Sequence, residues 1–198
     1  MATEIQCQCG LFRARLKAFP GGTPGRLVCY CDDCQTYLRH LGRRDLLDAN
    51  GGTEVIPAYP ADVEILSGRE QLACVRLSPG GTYRFFTRCC NTPVANTRPG
   101  MPWAGFLRGV YTANPSLALD ATLGPVRSRI MGRFATGTPP AGTADKFNLK
   151  AMASVMPFIA KGKLTGKSAP SPFFEEDGQT PIVTPQVLTK AERQAARP

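Results

Sequence analysis

Cysteine spacing limits how this chain can fold more than any other feature of its sequence. Seven of the eight cysteines fall into three short clusters, which read C-x-C, C-x-C-x-x-C and C-C. The clustered residues are Cys7, Cys9, Cys29, Cys31, Cys34, Cys89 and Cys90. A tetrahedral zinc ion takes four such donors at about 2.3 Å, and short cysteine turns from separate strands supply them two at a time. The spacing therefore predicts that three distant segments of chain meet around metal.

The cellular compartment decides whether such thiols stay free to bind metal. The start of the chain, MATEIQCQCG, has neither the basic start nor the apolar stretch of a secretion signal, and no run of about 18 apolar residues follows it. We therefore expect a soluble, cytoplasmic protein with no membrane partner. In the cytoplasm glutathione keeps thiols reduced, which favours metal ligation over disulfides. Cys7 and Cys9, or Cys29 and Cys31, are also too close in sequence to bridge each other comfortably.

Glycine and proline favour a mainly β fold. The chain has 20 glycines and 18 prolines among 198 residues, which interrupt it too often for long helices. Residues 12–19 alternate between apolar and basic side chains, as in a half-buried strand, and a PGGTPG turn leads to a second strand at 26–30. Short β-prone runs at 63–66, 71–77 and 82–87 then predict a compact antiparallel meander, with SPGG as a hairpin turn.

A change of composition at TPPAGT, near residue 138, divides the chain into a β domain of residues 1–137 and an extension of residues 138–198. In the extension, apolar residues at helical spacing predict a helix with Thr143 as its N-cap and its apolar stripe facing the core. The stripe residues are Leu149, Met152, Met156 and Ile159. The tail beyond is too proline-rich for regular structure, although Phe173 and Phe174 give it apolar anchors. It lies along its own domain or along a neighbouring subunit, and the second arrangement would make the protein a homodimer.

The charge of the chain bears on its partners. The formal net charge of +9 suggests, by itself, an anionic partner such as nucleic acid. Two zinc ions held by seven thiolates would lower that charge to about +6. The basic residues are also scattered rather than run together, a pattern that favours a solvated surface. The sequence therefore argues against nucleic acid as a partner.

Counting donors predicts two unlike zinc sites. The C-x-C-x-x-C cluster can hold one ion with three thiolates, while the C-x-C and C-C pairs complete each other if their strands are neighbours. Four thiolates close a structural site, and three leave one position open. An open zinc can bind water or a substrate thiolate and lower its pKa, so the three-cysteine site is the one expected to carry chemistry.

These motifs resemble the glutathione-dependent formaldehyde-activating enzyme and centromere protein V family. The resemblance rests on CQCG at 7–10, CYCDDC at 29–34 and FFTRCCNTPV at 85–94, and it spans about residues 4–114. It implies coiled antiparallel sheets around zinc, a structural four-cysteine site, and a three-cysteine site near which glutathione is handled. By position, it assigns Cys7, Cys9 and Cys90 to the structural site and Cys29, Cys31 and Cys34 to the open site. The chain departs from the family pattern Phe-Cys-x-x-Cys-Gly, because Thr87 follows Phe86, and the fourth structural ligand is either Cys89 or Thr87.

Several nearby residues have two interpretations each. Arg39, Arg43 and Arg44 either clamp the carboxylates of an anionic ligand such as glutathione or form a solvated basic loop. Asp32 and Asp33 either orient water or a substrate proton or accept backbone N–H bonds in a turn. The lone histidine, His40, is expected at the surface or in packing rather than on zinc, and Cys74 is expected in the core.

Two classes of function remain. In the first, the protein is an enzyme in which the open zinc holds a small thiol such as glutathione while an aldehyde adds to sulfur, or a carbon–sulfur bond is cleaved in reverse. In the second, both zinc ions are structural and the protein is a non-catalytic module that binds a protein or nucleic acid. A fourth protein ligand on the second zinc favours the module, and a solvent-open site beside an arginine-lined pocket favours the lyase.

Overall fold

Two β-sheets and five α-helices form the frame of the computed structural model, which describes residues 2–198. The strands are β1 (Thr3–Gln6), β2 (Arg13–Leu16), β3 (Leu27–Cys29), β4 (Thr53–Ala58), β5 (Val63–Ser67), β6 (Leu72–Arg76), β7 (Tyr83–Thr87), β8 (Pro93–Thr97), β9 (Ala104–Leu107), β10 (Ser128–Ile130) and β11 (Gln186–Val187). The helices are α1 (Asp32–His40), α2 (Arg108–Thr112), α3 (Leu119–Leu123), α4 (Leu149–Leu164) and α5 (Lys190–Ala195). Short 3-10 helices cover Arg44–Leu46, Pro60–Asp62, Arg69–Gln71 and Gly132–Phe134.

The two sheets differ in size and pairing. The smaller sheet has the order β1-β2-β5 and is antiparallel. The larger sheet has eight strands in the order β10-β3-β4-β9-β8-β7-β6-β11. Its six inner strands pair antiparallel, while the short edge strands β10 and β11 run parallel to their neighbours. The expected mainly β fold with antiparallel sheets and a C-terminal helix is confirmed, and the parallel pairs are limited to the edges.

Strand β5 is the one predicted strand that joins a different sheet from its neighbours in sequence. It was expected in the same meander as β6 and β7, but it pairs with β2. Gly68 explains the redirection, because it has a φ of 72° and an added Cβ would lie 2.4 Å from the backbone oxygen of Leu11. Only glycine adopts this left-handed conformation at low cost, and it turns the chain from one sheet to the other.

The main core lies between the two sheets. The alternation in β2 buries Ala14 and Leu16 as predicted, and Cys74 is buried in the same core. The large side chains of this cluster that are almost fully buried include Ile5, Phe12, Leu16, Phe19, Ile56, Phe85, Phe106, Tyr111 and Phe173. Complete burial of each large apolar side chain contributes about 1.5–3 kcal/mol, so this layer is the main source of stability.

The opposite face of the larger sheet is covered by α1 and by the end of the chain. Tyr37 and Leu38 of α1 pack there with Leu188, which follows β11. Helix α5 then begins with a capping box, in which Thr189 and Glu192 bond each other's backbone N–H groups. The prediction that this tail lacks regular structure is therefore wrong, since pairing with β6 and a capped helix outweigh its proline content. Its expected anchors, Phe173 and Phe174, are confirmed as core residues.

The N-cap and the buried face of helix α4 differ from the predicted ones. Asn148, rather than Thr143, is the N-cap and accepts a hydrogen bond from the backbone N–H of Ala151. The buried residues are Ala151, Val155 and Phe158, whereas three of the predicted core residues are exposed: Leu149, Met152 and Met156. The expectation that this stripe faces the core is wrong, because the aromatic stack of Phe158 on Tyr59, with ring centroids 4.0 Å apart, determines which side packs.

Two further features concern the chain as a whole. Within residues 2–198, none of the helices combines the length and apolar character needed to cross a bilayer. The division near residue 138 stays a prediction, and residues on both sides of it contribute to the main core.

Candidate metal centres and an adjoining cavity

Four cysteines from two distant turns converge at one end of the main core. Cys7 and Cys9 follow β1, and Cys89 and Cys90 follow β7. The four Sγ atoms all lie within 4.8 Å of one another. Cys9 is exposed, Cys7 is buried, and the other two are partly buried. The predicted pairing of the C-x-C and C-C clusters thus brings four thiols together at the surface of the fold.

The local backbone explains how the first pair is presented. Gly10 has a φ of 79°, and its N–H donates to the carbonyl oxygen of Cys7 at 2.9 Å, which closes the turn around the C-x-C pair. The backbone N–H of Phe12 points at the Cys7 Sγ, 3.3 Å away. Burial raises the pKa of Cys7 above its usual range, and the hydrogen bond from Phe12 acts in the opposite direction by favouring the thiolate, the form that binds metal.

The turn after β7 determines how Cys89 and Thr87 lie relative to Cys90. Adjacent residues on a strand point to opposite sides, but the chain leaves β7 at Thr87 and turns through residues 88–90. Asn91, with a φ of 51°, completes this turn. As a result both neighbouring thiols face the same point, with Cys89 Sγ 3.3 Å from Cys9 Sγ. Thr87 instead places its hydroxyl 3.5 Å from the Cys90 Sγ, as a hydrogen-bond neighbour.

The distances between sulfurs fit a tetrahedral metal ion. Four sulfurs at about 2.3 Å from a common centre are roughly 3.8 Å apart. The measured Sγ–Sγ distances are 3.5 Å for Cys7–Cys9, 3.8 Å for Cys7–Cys89 and 3.7 Å for Cys89–Cys90. This group can hold a metal ion with small adjustments only.

The second group consists of Cys29, Cys31 and Cys34, whose Sγ atoms also lie within 4.8 Å of one another. Cys29 ends β3, Cys31 is the N-cap of α1, and Cys34 lies in the first turn of that helix. The Cys31 Sγ accepts the backbone N–H of Cys34 at 3.4 Å, as a capping oxygen would. Because serine, threonine, aspartate and asparagine are the usual caps, the residue types do not mark the start of α1 here.

The pKa values of the cysteines in the three-cysteine group are shifted in opposite directions. Hydrogen bonds from Cys29 and Cys31, together with the positive charge of Arg84, hold the pKa of Cys34 well below its usual range. The corresponding bonds to Cys31 and Cys34 raise the pKa of Cys29 well above it. The two shifts run in opposite directions because like charges at this distance repel, so Cys34 is favoured over Cys29 as the first thiolate. A divalent cation removes that repulsion and allows all three to ionise.

The pKa values of the cysteines in the four-cysteine group are also shifted in opposite directions. Burial acts to raise the pKa of Cys90, but hydrogen bonds from Thr87 and Thr92 outweigh it and lower the pKa to about 5. Burial and a hydrogen bond to Cys9 raise the pKa of Cys89 to about 12.

A cavity of about 280 Å³ opens beside the three-cysteine group. Its lining consists of Leu27, Cys29, Cys34, Val55, Thr82, Arg84, Asn96, Thr97, Arg98, Met101, Trp103 and Gly105. Aliphatic and aromatic side chains make up one wall, and the other is polar and basic. The four-cysteine group contributes nothing to this lining.

Arg84 is the cation nearest to this second group. Its side chain is 7% exposed and lies 3.8 Å from Asp33, with the guanidinium carbon 5.3 Å from the Tyr37 ring centroid. Burial acts to lower the pKa of Arg84, but the negative charges of Cys34, Cys31 and Asp33 raise it. Arg84 was missed from the sequence, although an arginine between Tyr83 and Phe85 in a buried strand is an unusual residue that marks the site.

The arginines predicted from the sequence lie elsewhere. Arg43 bonds Asp45 and donates to the Thr92 hydroxyl at 3.4 Å, which places it beside the four-cysteine group. Arg39 has a buried Nε to which no residue of 2–198 offers an acceptor, and Arg44 opens a short 3-10 helix. A role for these three residues in ligand binding stays a prediction, and the basic residues that line the cavity are Arg84 and Arg98.

The acidic residues and the histidine of this region lie on α1. Asp32 and Asp33 form its first turn, and Asp33 accepts a hydrogen bond from Arg193 of α5 at 2.9 Å. His40 lies in the last turn and does not belong to the three-cysteine group, as far as the described residues show.

Comparison with known proteins gives a family but no activity. Residues 2–184 match the family described as a family of unknown function, DUF6151. A crystal structure of a Rhodobacter sphaeroides protein, a Northeast Structural Genomics target, is similar at 18% sequence identity, covering 63% of this chain and 97% of that chain with a TM-score of 0.42. No curated protein matches.

Proposed function

The chain belongs to DUF6151, a family of unknown function, and we propose from its site that it is a zinc protein with one structural and one open site, the open site handling a small thiol such as glutathione. The observation that carries this proposal is the position of the three-cysteine group. Cys29 and Cys34 form part of the wall of a cavity of about 280 Å³, while the four-cysteine group offers a full set of donors and does not line that cavity.

Zinc is the metal that this donor set supports best. Each group offers only cysteine sulfur, and soft thiolate ligands in tetrahedral arrangement favour zinc over magnesium, calcium or manganese. Seven thiolates also require a reducing compartment, which supports the cytoplasm as the location. Cys7, Cys9, Cys89 and Cys90 would hold the structural ion, and Cys29, Cys31 and Cys34 the other.

The residues around the cavity suit a small anionic thiol. Zinc in the three-cysteine site would supply a position at which a ligand's sulfur is held as thiolate. Three thiolates exceed the charge of one divalent ion by one, and the buried guanidinium of Arg84 offsets that excess. Arg98 is exposed at the cavity and can pair with a ligand carboxylate as a two-pronged donor. Trp103 and Val55 add apolar surface to the lining of the cavity.

The reaction proposed is the one suggested by the resemblance to formaldehyde-activating enzymes. The sulfur of the thiol adds to the carbonyl carbon of an aldehyde, the carbon–oxygen double bond becomes single, and the oxygen takes up the proton released by the thiol. The reverse reaction cleaves the carbon–sulfur bond, which is a carbon–sulfur lyase activity. The chain's own part is to bind the thiol and orient it through arginine.

The test uses purified protein in which cobalt replaces zinc, because cobalt–thiolate absorption reports a new sulfur ligand. We expect glutathione to change the spectrum of the wild type and of Arg69→Gln, an exposed arginine away from the cavity. Arg98→Gln should weaken the apparent affinity about fivefold, the effect of about 1 kcal/mol for a partly exposed charge-assisted bond. Formation of the adduct from glutathione and formaldehyde, followed by NMR, measures turnover.

The opposite result has a definite meaning. If the cobalt spectrum does not respond to any small thiol and the protein binds two ions per chain, the second ion has no open position. The lyase proposal is then wrong, and the protein is the non-catalytic zinc module.

A further inference from the structure

The outward face of α4 is apolar although it has no partner within the described chain. The side that packs on the protein carries Ala151, Val155 and Phe158. The exposed fractions on the other side are 82% for Leu149, 39% for Met152 and 48% for Met156. Residues three and four apart lie on one helix face, so these three form a continuous stripe. Of the eight exposed large apolar side chains in residues 2–198, five fall between Phe147 and Leu164.

Positive charge accompanies this stripe. Five of the chain's seven lysines fall between residues 146 and 167, and no aspartate or glutamate lies among them. Lys146, Lys161 and Lys163 are exposed. Lys167 is the exception, because its Nζ pairs with Asp62 at 2.6 Å. Long lysine side chains can lie along apolar surface while keeping their charge in water, which suits an interface between apolar and polar media.

A second cavity flanks the same helix. It has a volume of about 580 Å³ and is walled mainly by apolar atoms, including the stacked rings of Tyr59 and Phe158. Lys161 and Lys167 lie at its lining, with Asp62 as the carboxylate there. An apolar space bordered by an unpaired lysine fits one end of an anionic amphiphile.

Charge and shape distinguish between the possible occupants of this face. A second copy of the chain, docked helix to helix, would bring two sets of lysines together without acidic residues to pair with them. A peptide partner would need a groove along the stripe, whereas the stripe lies on the outward face of a single helix. A helix with apolar residues outward and lysines at its borders is the form that lies in the plane of an anionic lipid interface.

We propose that α4 is a reversible docking surface for an anionic lipid membrane, with Leu149, Met152 and Met156 entering the interface and Lys161 and Lys163 contacting the headgroups. This proposal does not depend on the zinc sites or on thiol chemistry. It goes against the expectation, drawn from the absence of a spanning segment, that no membrane is a partner.

The test is co-sedimentation of the full chain with vesicles of phosphatidylcholine, alone or with one third phosphatidylglycerol. We expect binding to the anionic vesicles, and its loss in about 0.5 M salt, where charges are screened beyond a few ångströms. The double variant K161Q/K163Q should bind roughly 30-fold more weakly, at about fivefold per lysine. The matched control K17Q/K190Q changes two exposed lysines elsewhere and should bind as the wild type does.

The apolar stripe has its own variant and control. M152S/M156S should lower the affinity at least tenfold, since both side chains lose apolar area that would enter the lipid. Leu66→Ser alters an exposed apolar residue of β5 and should have no effect. The proposal is overturned if anionic vesicles do not bind the wild type, if neutral vesicles bind it equally, or if M152S/M156S dissociates a dimer while lipid binding is unchanged.

Discussion

Replacing Cys89 tests the arrangement of the four-cysteine site most directly. Its Sγ contacts those of Cys7, Cys9 and Cys90 at 3.8, 3.3 and 3.7 Å, so it is a full member of the group. A structural zinc contributes about 10–16 kcal/mol, and an equal share for each of four thiolates is about 2.5–4 kcal/mol. Cys89→Ala should therefore weaken zinc binding at this site roughly 100- to 1000-fold.

Two controls separate loss of a ligand from loss of packing. Cys74→Ala removes a buried thiol that belongs to neither group and should leave the metal content unchanged. Thr87→Val keeps the shape of a buried residue, and it should also retain metal because the Thr87 hydroxyl is a neighbour of Cys90 rather than a ligand. Metal content is measured by elemental analysis of reduced protein, and affinity by competition with a chromophoric chelator. If Cys89→Ala retains zinc with unchanged affinity while Thr87→Val loses it, the assignment is wrong.

Other predictions concern packing, charge and pH. Phe173→Ala should destabilise the protein by about 3–5 kcal/mol in chemical denaturation, because the ring is buried in the main core, whereas Phe147→Ala, at a 43% exposed position, should change stability by less than about 0.5 kcal/mol. The Glu54 side chain is 8% exposed, and its carboxylate pairs with two arginines. Glu54→Gln removes this negative charge and should lower stability by about 3–5 kcal/mol. A loss below about 1 kcal/mol would contradict the importance of this network. Burial and the hydrogen bond to Asp48 raise the pKa of Tyr30 to about 12 from 10, so its contribution to stability is complete below pH 10 and is lost as pH rises through 12. Asp48→Asn should lower the pKa of Tyr30, which is measured by comparing ultraviolet titrations of the wild type and the variant.

The sequence predicted the parts of the fold that depend on local pattern. Alternation identified β2, short β-prone runs around an SPGG turn identified the β6–β7 hairpin, and cysteine spacing identified the members of both thiol groups. These signals work because side-chain direction along a strand, and the reach of a short turn, are determined within a few residues. The position of Cys89 depended on the turn after β7, where Asn91 adopts a positive φ that the residue types alone do not require.

Features that depend on distant pairing were not accessible from the sequence. Arg84 and Trp103 line the same cavity as Cys29 and Cys34 because the strands that carry them or lie beside them belong to one sheet, although these strands are distant in sequence. The buried face of α4 was mispredicted because apolar residues occupy both faces of this helix, and periodicity alone cannot tell which face packs on the protein. Helix α1 was missed because its cap is a cysteine.

The short strand β11 has a consequence for how the protein is made. It covers the free edge of β6 with only two residues, and they come from near the end of the chain. During synthesis that edge therefore stays open until β11 has itself left the ribosome, long after β6, and an uncovered β-strand readily recruits strands from other molecules. Nascent chains should accordingly be most prone to aggregate between the emergence of β6 and that of β11, and a chaperone that masks strand edges would be of most use in that interval.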